Sequence, residues 1–500
     1  MSIFSRIRTF FVKFSRAGSA IRLQSGTMKS PMDRLPTELL SCIFLLIVHD
    51  PTEAPLFPLT LSHVSSQWRE VALATGDLWT RIVMSFPITA QQISCCKAYL
   101  SRSGVYPLDI LLDLRDPAWD WEEESHKFRW QDMEPLLRIF LDHVGRWKRI
   151  EILTDTWAPI FTFLWYTRKV DSAPMLQTIS LSRCNAYFAG RGQTFQPTAL
   201  RQPIQLFGGV LDSLRTVSLV GVHVNWAQSS LRNLSSLELK YHASDVMPTL
   251  DQFRDILTSC PGLLRLSIIG WGPILDDQAR DKKRVISIRV PLLQHFSLGF
   301  LDTEYAIHFL SLLEFPSLVG LCLEDVSKTI NPLEQLDSTP VLEWFSHTNE
   351  SSLSSSSSLN PFPLKHIRSI EFHGILSDEN IFAHFLQQLP TLKRLGCYDI
   401  SDDALRALLP QNAQPPHRSG QAFCLCPSLT ELYFQDVNPE AVINLVASRA
   451  YVGSAIPFRK VTLECVRIPK PLPGSAVRLR LANTGINVLG SSQESLVSSE

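Results

Sequence analysis

The chain has 500 residues, which is more than one compact core usually supports, so we expect several domains or one elongated repeat array. Its 47 basic and 48 acidic residues give a net charge of -1, and this balance disfavours nucleic acid as a partner. The longest apolar runs, 38–48 and 157–166, are shorter than the roughly 18–20 residues of a membrane-spanning helix. We therefore expect no membrane partner.

Residues 1–31 form a basic segment that carries no acidic residue. This composition is typical of a mitochondrial transit peptide. A disordered leader, or a true start at Met28 or Met32, fits the sequence better than a transit peptide, and whether residues 1–27 are translated or cleaved is open. The sequence that follows favours the cytoplasm or the nucleus.

The ten cysteines are scattered, and no CxxC pair occurs. We expect free thiols in a reducing compartment. Cys322, Cys397 and Cys465 lie in strand-like segments, where a buried thiol is the expected role. Cys424 and Cys426 form a CxC pair without a second ligand pair at a suitable distance. The sequence therefore predicts no metal and no cofactor.

An unusually apolar helix is predicted at 35–48, with Pro36 in its first turn. It carries two apolar ridges at helical spacing, which are Leu35, Leu39, Ile43 and Ile47, and Leu40, Phe44 and Val48. A Pro-rich break precedes a second helix that carries Trp68 and ends near Trp79. A unit this small cannot bury both ridges within its own core. We expect the Leu40 and Phe44 ridge to contact either a partner helix or the downstream part of this chain.

The segment 32–84 resembles an F-box. The residues that match its Leu-Pro-x-Glu opening, Val-x-x-x-Trp-Arg helix and closing Leu-Trp are Leu35, Pro36, Glu38, Leu39, Ile43, Phe44, Val64, Trp68, Arg69 and Trp79. The continuation through 99–114 is similar to the large F-box family of mushroom-forming fungi. The resemblance implies an all-α module that binds a Skp-type adaptor and, through it, a cullin. The residues implied to bind the adaptor are Leu35, Pro36, Leu39, Leu40, Ile43, Phe44, Val64 and Trp68.

After a linking or capping segment at 85–146, one phrase recurs between 147 and 490: apolar-x-x-apolar-x-apolar. Eleven copies begin at steps of 20 to 49 residues, from Trp147 to Phe458. Steps near 25–30 residues are typical of leucine-rich repeats. Helices are predicted in the gaps at 248–259, 303–314, 377–389 and 438–449, with one more at 132–146. The fold class is therefore α/β: a small all-α F-box followed by an irregular leucine-rich-repeat-like solenoid with parallel strands.

Three segments have compositions that cannot form a core. Two are predicted loop insertions in the array, the Ser-rich 346–363 and the Pro-containing 410–424, and 491–500 is a predicted tail.

We find no motif for an active site: no phosphate-binding loop, nucleophile elbow or zinc-binding HExxH occurs. In a solenoid, the polar strand positions face the concave surface. Those that would bind a protein substrate are Glu238, Lys240, Glu324, Glu371, His373, Tyr433 and Gln435, while Glu151, Tyr398 and Glu464 occupy similar positions. The excess of Glu predicts a basic substrate segment, although ordinary solvated strand polarity would look the same.

We expect a non-catalytic substrate receptor of a Skp–cullin–F-box ubiquitin ligase, whose solenoid binds an unidentified target protein. One alternative is a scaffold that does not promote ubiquitination. Another is a repeat protein whose N-terminal helices only cap the array.

Overall fold

The structure of the chain is a computed structural model. It describes residues 35–48, 55–184, 189–275, 287–331, 333–354, 361–410, 424–450, 456–466 and 475–490, without the side chains of 124 and 348–354. The chain divides into two compact units. The first holds residues up to Ile152 together with Ala173–Leu176, and the second holds Leu153–Ser172 and the residues from Gln177 onward.

The described part of the first unit begins with helices. These are α1 (Thr37–Val48), α2 (Phe57–Ser62) and α3 (Ser66–Ala74), then a short 3-10 turn (Gly76–Trp79). Strand β1 (Arg81–Ser85), helix α4 (Ala90–Arg102), strand β2 (Leu108–Asp113), helix α5 (Trp130–Leu141) and strand β3 (Trp147–Thr154) follow. The last two residues of β3 belong to the second unit.

Local chemistry explains where these helices begin. Glu38 lies in the first turn of α1, where a carboxylate interacts favourably with the positive end of the helix dipole. Helix α3 begins after Ser65, whose side chain accepts a hydrogen bond from the backbone N–H of Trp68, so one of the free donors of the first turn is satisfied. The Trp79 indole donates a 2.8 Å hydrogen bond to the Ala72 carbonyl, which ties the end of the 3-10 turn to α3.

Residues 81–113, which overlap the predicted linking segment 85–146, contain repeat-like structure of their own. Strands β1 and β2 pair in parallel from Arg81 opposite Asp109 to Ser85 opposite Asp113, and helix α4 connects them. This strand–helix–strand connection is the usual way to join parallel neighbours. Trp79, Ile82 and Met84 have the full spacing of the recurring phrase and lead into β1, so the repeats begin before Trp147, where the prediction placed their start.

The second unit is built on parallel strands. These are β4 (Thr178–Arg183), β5 (Thr216–Val220), β6 (Ser236–Lys240), β7 (Arg265–Ile269), β8 (Ile288–Arg289), β9 (His295–Phe300), β10 (Leu313–Glu314), β11 (Gly320–Asp325), β12 (Ser369–His373), β13 (Arg394–Tyr398), β14 (Glu431–Gln435), β15 (Lys460–Cys465) and β16 (Asn487–Gly490). Apart from the short pair β8 and β10, they lie side by side in chain order. The prediction of an α/β fold with parallel strands is confirmed.

The recurring apolar phrase corresponds to the buried side of these strands. In β7, Leu266 and Ile268 are fully buried, and Leu263, the first residue of the phrase, is buried as well. In-register parallel pairing repeats this placement, so Leu266 lies opposite Leu237 on one side and Phe296 on the other. Buried side chains alternate with polar ones because successive strand residues point to opposite faces.

Helices lie between most strands of the second unit. They are α6 (Trp157–Thr167), α7 (Leu250–Thr258), α8 (Thr303–Ser311), α9 (Val326–Ile330), α10 (Thr339–Ser354), α11 (Glu379–Gln387), α12 (Asp402–Ala407), α13 (Pro439–Ala450) and α14 (Ala476–Asn483). The predicted gap helices are therefore present. Thr249 caps α7 in a capping box with Gln252, and Asp302 caps α8, as polar residues at these positions predict.

The Ser-rich segment differs from its prediction in part. Helix α10 continues to Ser354, so the predicted loop at 346–363 begins as helix. Val341, Leu342 and Phe345 are buried and hold the first turns in place, which composition alone could not indicate. Residues 411–423 of the second predicted loop, the basic leader and the 491–500 tail lie outside the described residues.

None of the helices in the described part of the chain has the length and apolar character needed to cross a membrane.

Candidate functional site

The two ridges of α1 have roles opposite to those expected. Leu40 and Phe44 are completely buried and Val48 is nearly so. The Phe44 ring lies 4.9 Å from the ring of Trp68 on α3, and Trp68 is 4% exposed. The expectation that Leu40, Phe44 and Trp68 contact an adaptor is therefore corrected, because these three side chains are part of the core of the first unit.

The other side of α1 is exposed and apolar. Leu39 is 52% and Leu46 is 58% exposed, and Ile43 between them is half-buried. Pro36 is exposed and Leu35 half-buried at the start of the helix. These residues follow one another at helical spacing, so they share one face. That face meets the usual description of an interaction surface.

The beginning of α3 lies next to the beginning of α1. The Gln67 amide donates a 3.5 Å hydrogen bond to the Leu35 carbonyl. Val64, three residues before Gln67, is 55% exposed. Of the residues predicted to bind an adaptor, the structure therefore leaves Leu35, Pro36, Leu39, Ile43 and Val64 accessible to some degree.

A second surface is the face of the parallel strands opposite the buried residues of the recurring phrase, and it is covered at Ile269 and Gly299, where Val326 packs on it. In-register pairing arranges its side chains in rows that cross the strands. One row contains Glu238, Ser267, Ser297, Cys322, Glu371, Gly396 and Tyr433, and the next contains Lys240, Ile269, Gly299, Glu324, His373, Tyr398 and Gln435. We call this surface the strand face. All seven predicted substrate-binding residues lie on it.

Glu238 and Lys240 form one group on the strand face. The Lys240 ammonium lies 2.6 Å from the Glu238 carboxylate, which also accepts a 2.5 Å hydrogen bond from the Ser218 hydroxyl. Burial opposes ionisation of Glu238, but hydrogen bonds from Lys240 and Ser218 outweigh it and lower the carboxyl pKa. The charge of Glu238 is therefore neutralised locally, and it adds little to an acidic surface.

Glu324, Glu371 and His373 form a second group, separated from the first by β7 and β9. Glu324 lies opposite His373 in the pairing of β11 with β12. His373 Nε2 lies 3.8 Å from a Glu371 carboxylate oxygen, and this interaction holds the pKa of Glu371 below its usual range. Glu324 accepts a 3.5 Å hydrogen bond from the Tyr241 hydroxyl.

Aromatic rings continue from this group along the rows. The His373 imidazole stacks on the Tyr398 ring with 3.9 Å between centroids and an interplanar angle of 8°. Tyr398 in turn lies 5.2 Å from Tyr433, whose hydroxyl donates to the Glu464 carboxylate. Gln435 is half-buried beside Tyr398 in the paired register. The result is an aromatic strip bordered by carboxylates.

The cysteines fall on both sides of the strands. Cys397 and Cys465 are buried as expected, and Cys424 and Cys426 are buried as well. Cys322 differs, because it is half-buried on the strand face beside Glu371. Burial raises the pKa of its thiol to about 12, and the Glu371 and Glu324 carboxylates add to the rise.

Sequence reasoning did not connect Cys322 with Glu371 and His373. The recurring phrase could have predicted that Cys322 and Glu371 are neighbours. Each residue directly precedes the last apolar residue of its copy of the phrase. Residues at equal phrase positions in consecutive copies become neighbours once the strands pair in register.

The sequence matches none of the protein-family models against which it was scanned, and a search of curated proteins found no match.

Proposed function

We propose that the chain is a substrate receptor of a Skp–cullin–F-box ubiquitin ligase. In this proposal the helices of the first unit bind a Skp-type adaptor, and the strand face of the second unit binds a target protein. The receptor needs no catalytic residue, since it acts by raising the effective concentration of the target near a ubiquitin-loaded enzyme.

The observation that carries the proposal is the exposed apolar face of α1. Leu39 and Leu46 are each more than half exposed, although the same helix already supplies the core of its unit through Leu40 and Phe44. Burying a fully exposed side chain of this size contributes roughly 1.5–3 kcal/mol, so each of these half-exposed leucines would contribute about half of that if a partner covered it. The F-box pattern of the sequence supplies the kind of partner, an adaptor helix that packs on this face.

The strand face supports target binding by its chemistry. The His373, Tyr398 and Tyr433 rings lie beside Glu324, Glu371 and Glu464. Aromatic faces and carboxylates together favour cationic side chains. A basic segment of a target protein is therefore the substrate class we propose, as the excess of Glu in the sequence predicted.

The test of adaptor binding uses the full chain co-expressed with a Skp-type adaptor and a cullin. Leu39→Asp combined with Leu46→Asp places two charges on the exposed face, and we expect capture of the adaptor to fall at least about tenfold. Both positions are exposed, so the fold should persist. Leu333→Asp is the matched control, because Leu333 is 95% exposed in the second unit, and it should leave capture unchanged.

Two results would overturn the adaptor proposal. One is a wild-type chain that captures no adaptor, and the other is a double variant that captures as much adaptor as the wild type. If the adaptor is captured but the cullin does not accompany it, the chain acts as a scaffold and the ligase part of the proposal is wrong.

A further inference from the structure

Four side chains with metal-binding chemistry form a square on the strand face. Cys322 and Glu324 project from β11, and Glu371 and His373 project from β12. Strand register places Cys322 opposite Glu371 and Glu324 opposite His373. Side chains two residues apart on one strand share a face, so all four lie on the same side of the sheet.

Three of these side chains already hold their donor atoms close together. The Cys322 sulfur, a Glu371 carboxylate oxygen and a His373 ring nitrogen all lie within 4.8 Å of one another. The oxygen–nitrogen distance is 3.8 Å. With zinc bonds of about 2.0–2.3 Å, a tetrahedral site needs donors separated by roughly 3.3–3.7 Å. Small side-chain rotations are therefore enough to reach that geometry.

The neighbouring residues suit such a site. The imidazole of His373 is stacked on Tyr398, and this contact restrains the ring while its Nε2 points toward Glu371. The His373 side chain is 33% exposed and that of Glu371 is 43% exposed, so an ion can enter from solvent. Glu324 adds a second carboxylate next to His373, which increases the attraction for a cation.

The position in the fold gives the site a structural use. Helices α9 and α10 leave the array between β11 and β12, and this step from Leu318 to Ile367 is the longest of the recurring phrase, at 49 residues. An ion held by both strands would link them where the chain makes its largest excursion.

We propose that Cys322, Glu371 and His373 bind one zinc ion, with solvent as the fourth ligand. A thiolate, an imidazole and a carboxylate are the donors that zinc takes most often in proteins, and the Cys322 thiol releases its proton to solvent as its sulfur binds the ion. The proposal is independent of adaptor binding by the first unit.

The test uses the full-length chain, purified, loaded with zinc and passed through gel filtration. We expect about one zinc per chain to remain with the protein. Cys322→Ser, Glu371→Gln and His373→Ala should each weaken zinc affinity by more than about tenfold. Cobalt substitution adds a specific readout, because a cysteine ligand gives a sulfur-to-cobalt charge-transfer band that should disappear in Cys322→Ser.

Matched controls lie on the same unit. Cys184 is half-buried and His366 is exposed, and neither is part of the square, so Cys184→Ser and His366→Ala should keep both the zinc and the cobalt band. Glu371→Gln preserves side-chain shape, so a loss of zinc in that variant cannot be assigned to misfolding.

The proposal is overturned if the wild-type chain retains no zinc after gel filtration. It is also overturned if zinc remains in all three ligand variants, because the ion is then adventitious only. Adaptor capture by Cys322→Ser should match the wild type, and this result separates failure at the zinc site from failure of the ligase proposal.

Discussion

Phe44 and Leu46 are two residues apart on α1 and have opposite environments. Phe44 is fully buried against Trp68, whereas Leu46 is 58% exposed. Truncating a buried Phe typically costs about 3–5 kcal/mol, whereas most exposed positions change stability by less than about 0.5 kcal/mol.

We therefore expect Phe44→Ala to destabilise the first unit by about 3–5 kcal/mol, and Leu46→Ala to have little effect. Hydrogen exchange of residues 57–74 in the full chain measures this locally, with faster exchange in Phe44→Ala alone. Equal exchange in the two variants would contradict the assignment of the buried and exposed faces of α1.

The same pair shows where sequence reasoning reached its limit. Helical spacing identified two ridges on α1 and placed Phe44 on one of them, but it assigned Leu46 to neither. It could not decide which one is buried, because both have the same period and similar residues. That choice depends on where Trp68 and Trp79 lie after folding, which is tertiary information.

At the scale of elements, one glycine controls the approach of α9 to the sheet. A Cβ atom at Gly299 on β9 would lie 2.7 Å from Val326 Cγ2 and 2.8 Å from Ile269 Cγ2. Val326 and Ile269 are both buried in the cluster completed by Ala189 and Leu301. The absence of a side chain at Gly299 therefore lets α9 pack on the strands.

We expect Gly299→Ala to destabilise the second unit by about 1–3 kcal/mol, because the overpacked cluster must shift. Gly262→Ala is the control, since a Cβ there would meet no atom within 4 Å. Denaturant midpoints of the two variants give the comparison. A denaturant midpoint for Gly299→Ala equal to that of the control would show that the cluster accommodates the added methyl group without loss of stability.

A pair of buried histidines predicts pH dependence. His223 follows β5 and His242 follows β6, and the Nε2–H of each donates a 2.9 Å hydrogen bond to a backbone carbonyl, of Arg201 and Val222 respectively. The Nδ1 atoms of both lack hydrogen-bond partners among the described residues. Burial lowers the pKa of each imidazole to about 4.

The folded chain therefore binds fewer protons than the unfolded chain between pH 6.5 and about 4, so stability falls as the pH is lowered through that range. The free energy of unfolding should change with pH by up to roughly 1.4 kcal/mol per pH unit for each histidine. Melting temperatures of the wild type and of the combined His223→Gln and His242→Gln variant, measured across this range, test it. Gln keeps a hydrogen-bond donor but does not titrate, so the melting temperature of the variant should depend less on pH. Identical pH dependence in the two proteins would show that these histidines are not its cause.

The recurring apolar phrase made the strands predictable, but it did not predict which polar side chains of different strands contact each other. Each phrase marks a strand because its apolar residues alternate with polar ones. Which polar residues meet depends on strand order and register, as the hydrogen bond between Ser218 and Glu238 and the Cys322 group show. The same spacing in Trp79, Ile82 and Met84 precedes the predicted start at Trp147, so the structured part of 85–146 was missed because the start of the array was placed too late.

At the scale of the whole molecule, the strand order makes the stability of the second unit depend on position. In a repeat array each coil contacts only its neighbours, so central strands are supported from both sides. Strand β16 is last in the described order and pairs only with β15 within it. Local opening should therefore be easiest there.

We expect the amides of β16 and β15 to exchange with solvent faster than those of β7 and β9 under native conditions. Hydrogen exchange of the full chain, measured by mass spectrometry, reports the protection of all four strands in one experiment. Uniform protection along the array would mean that the unit opens only as a whole.

The rows of the strand face also limit what can lie along them. Neighbouring strands are about 4.8 Å apart, whereas an extended peptide advances about 3.3 Å per residue. These two repeats fall out of step after a few residues, so a long straight ligand cannot offer equivalent groups to successive coils. A binder of this face is consequently a short motif of a few residues or a rounded protein surface, and lengthening a linear ligand beyond that would add little affinity.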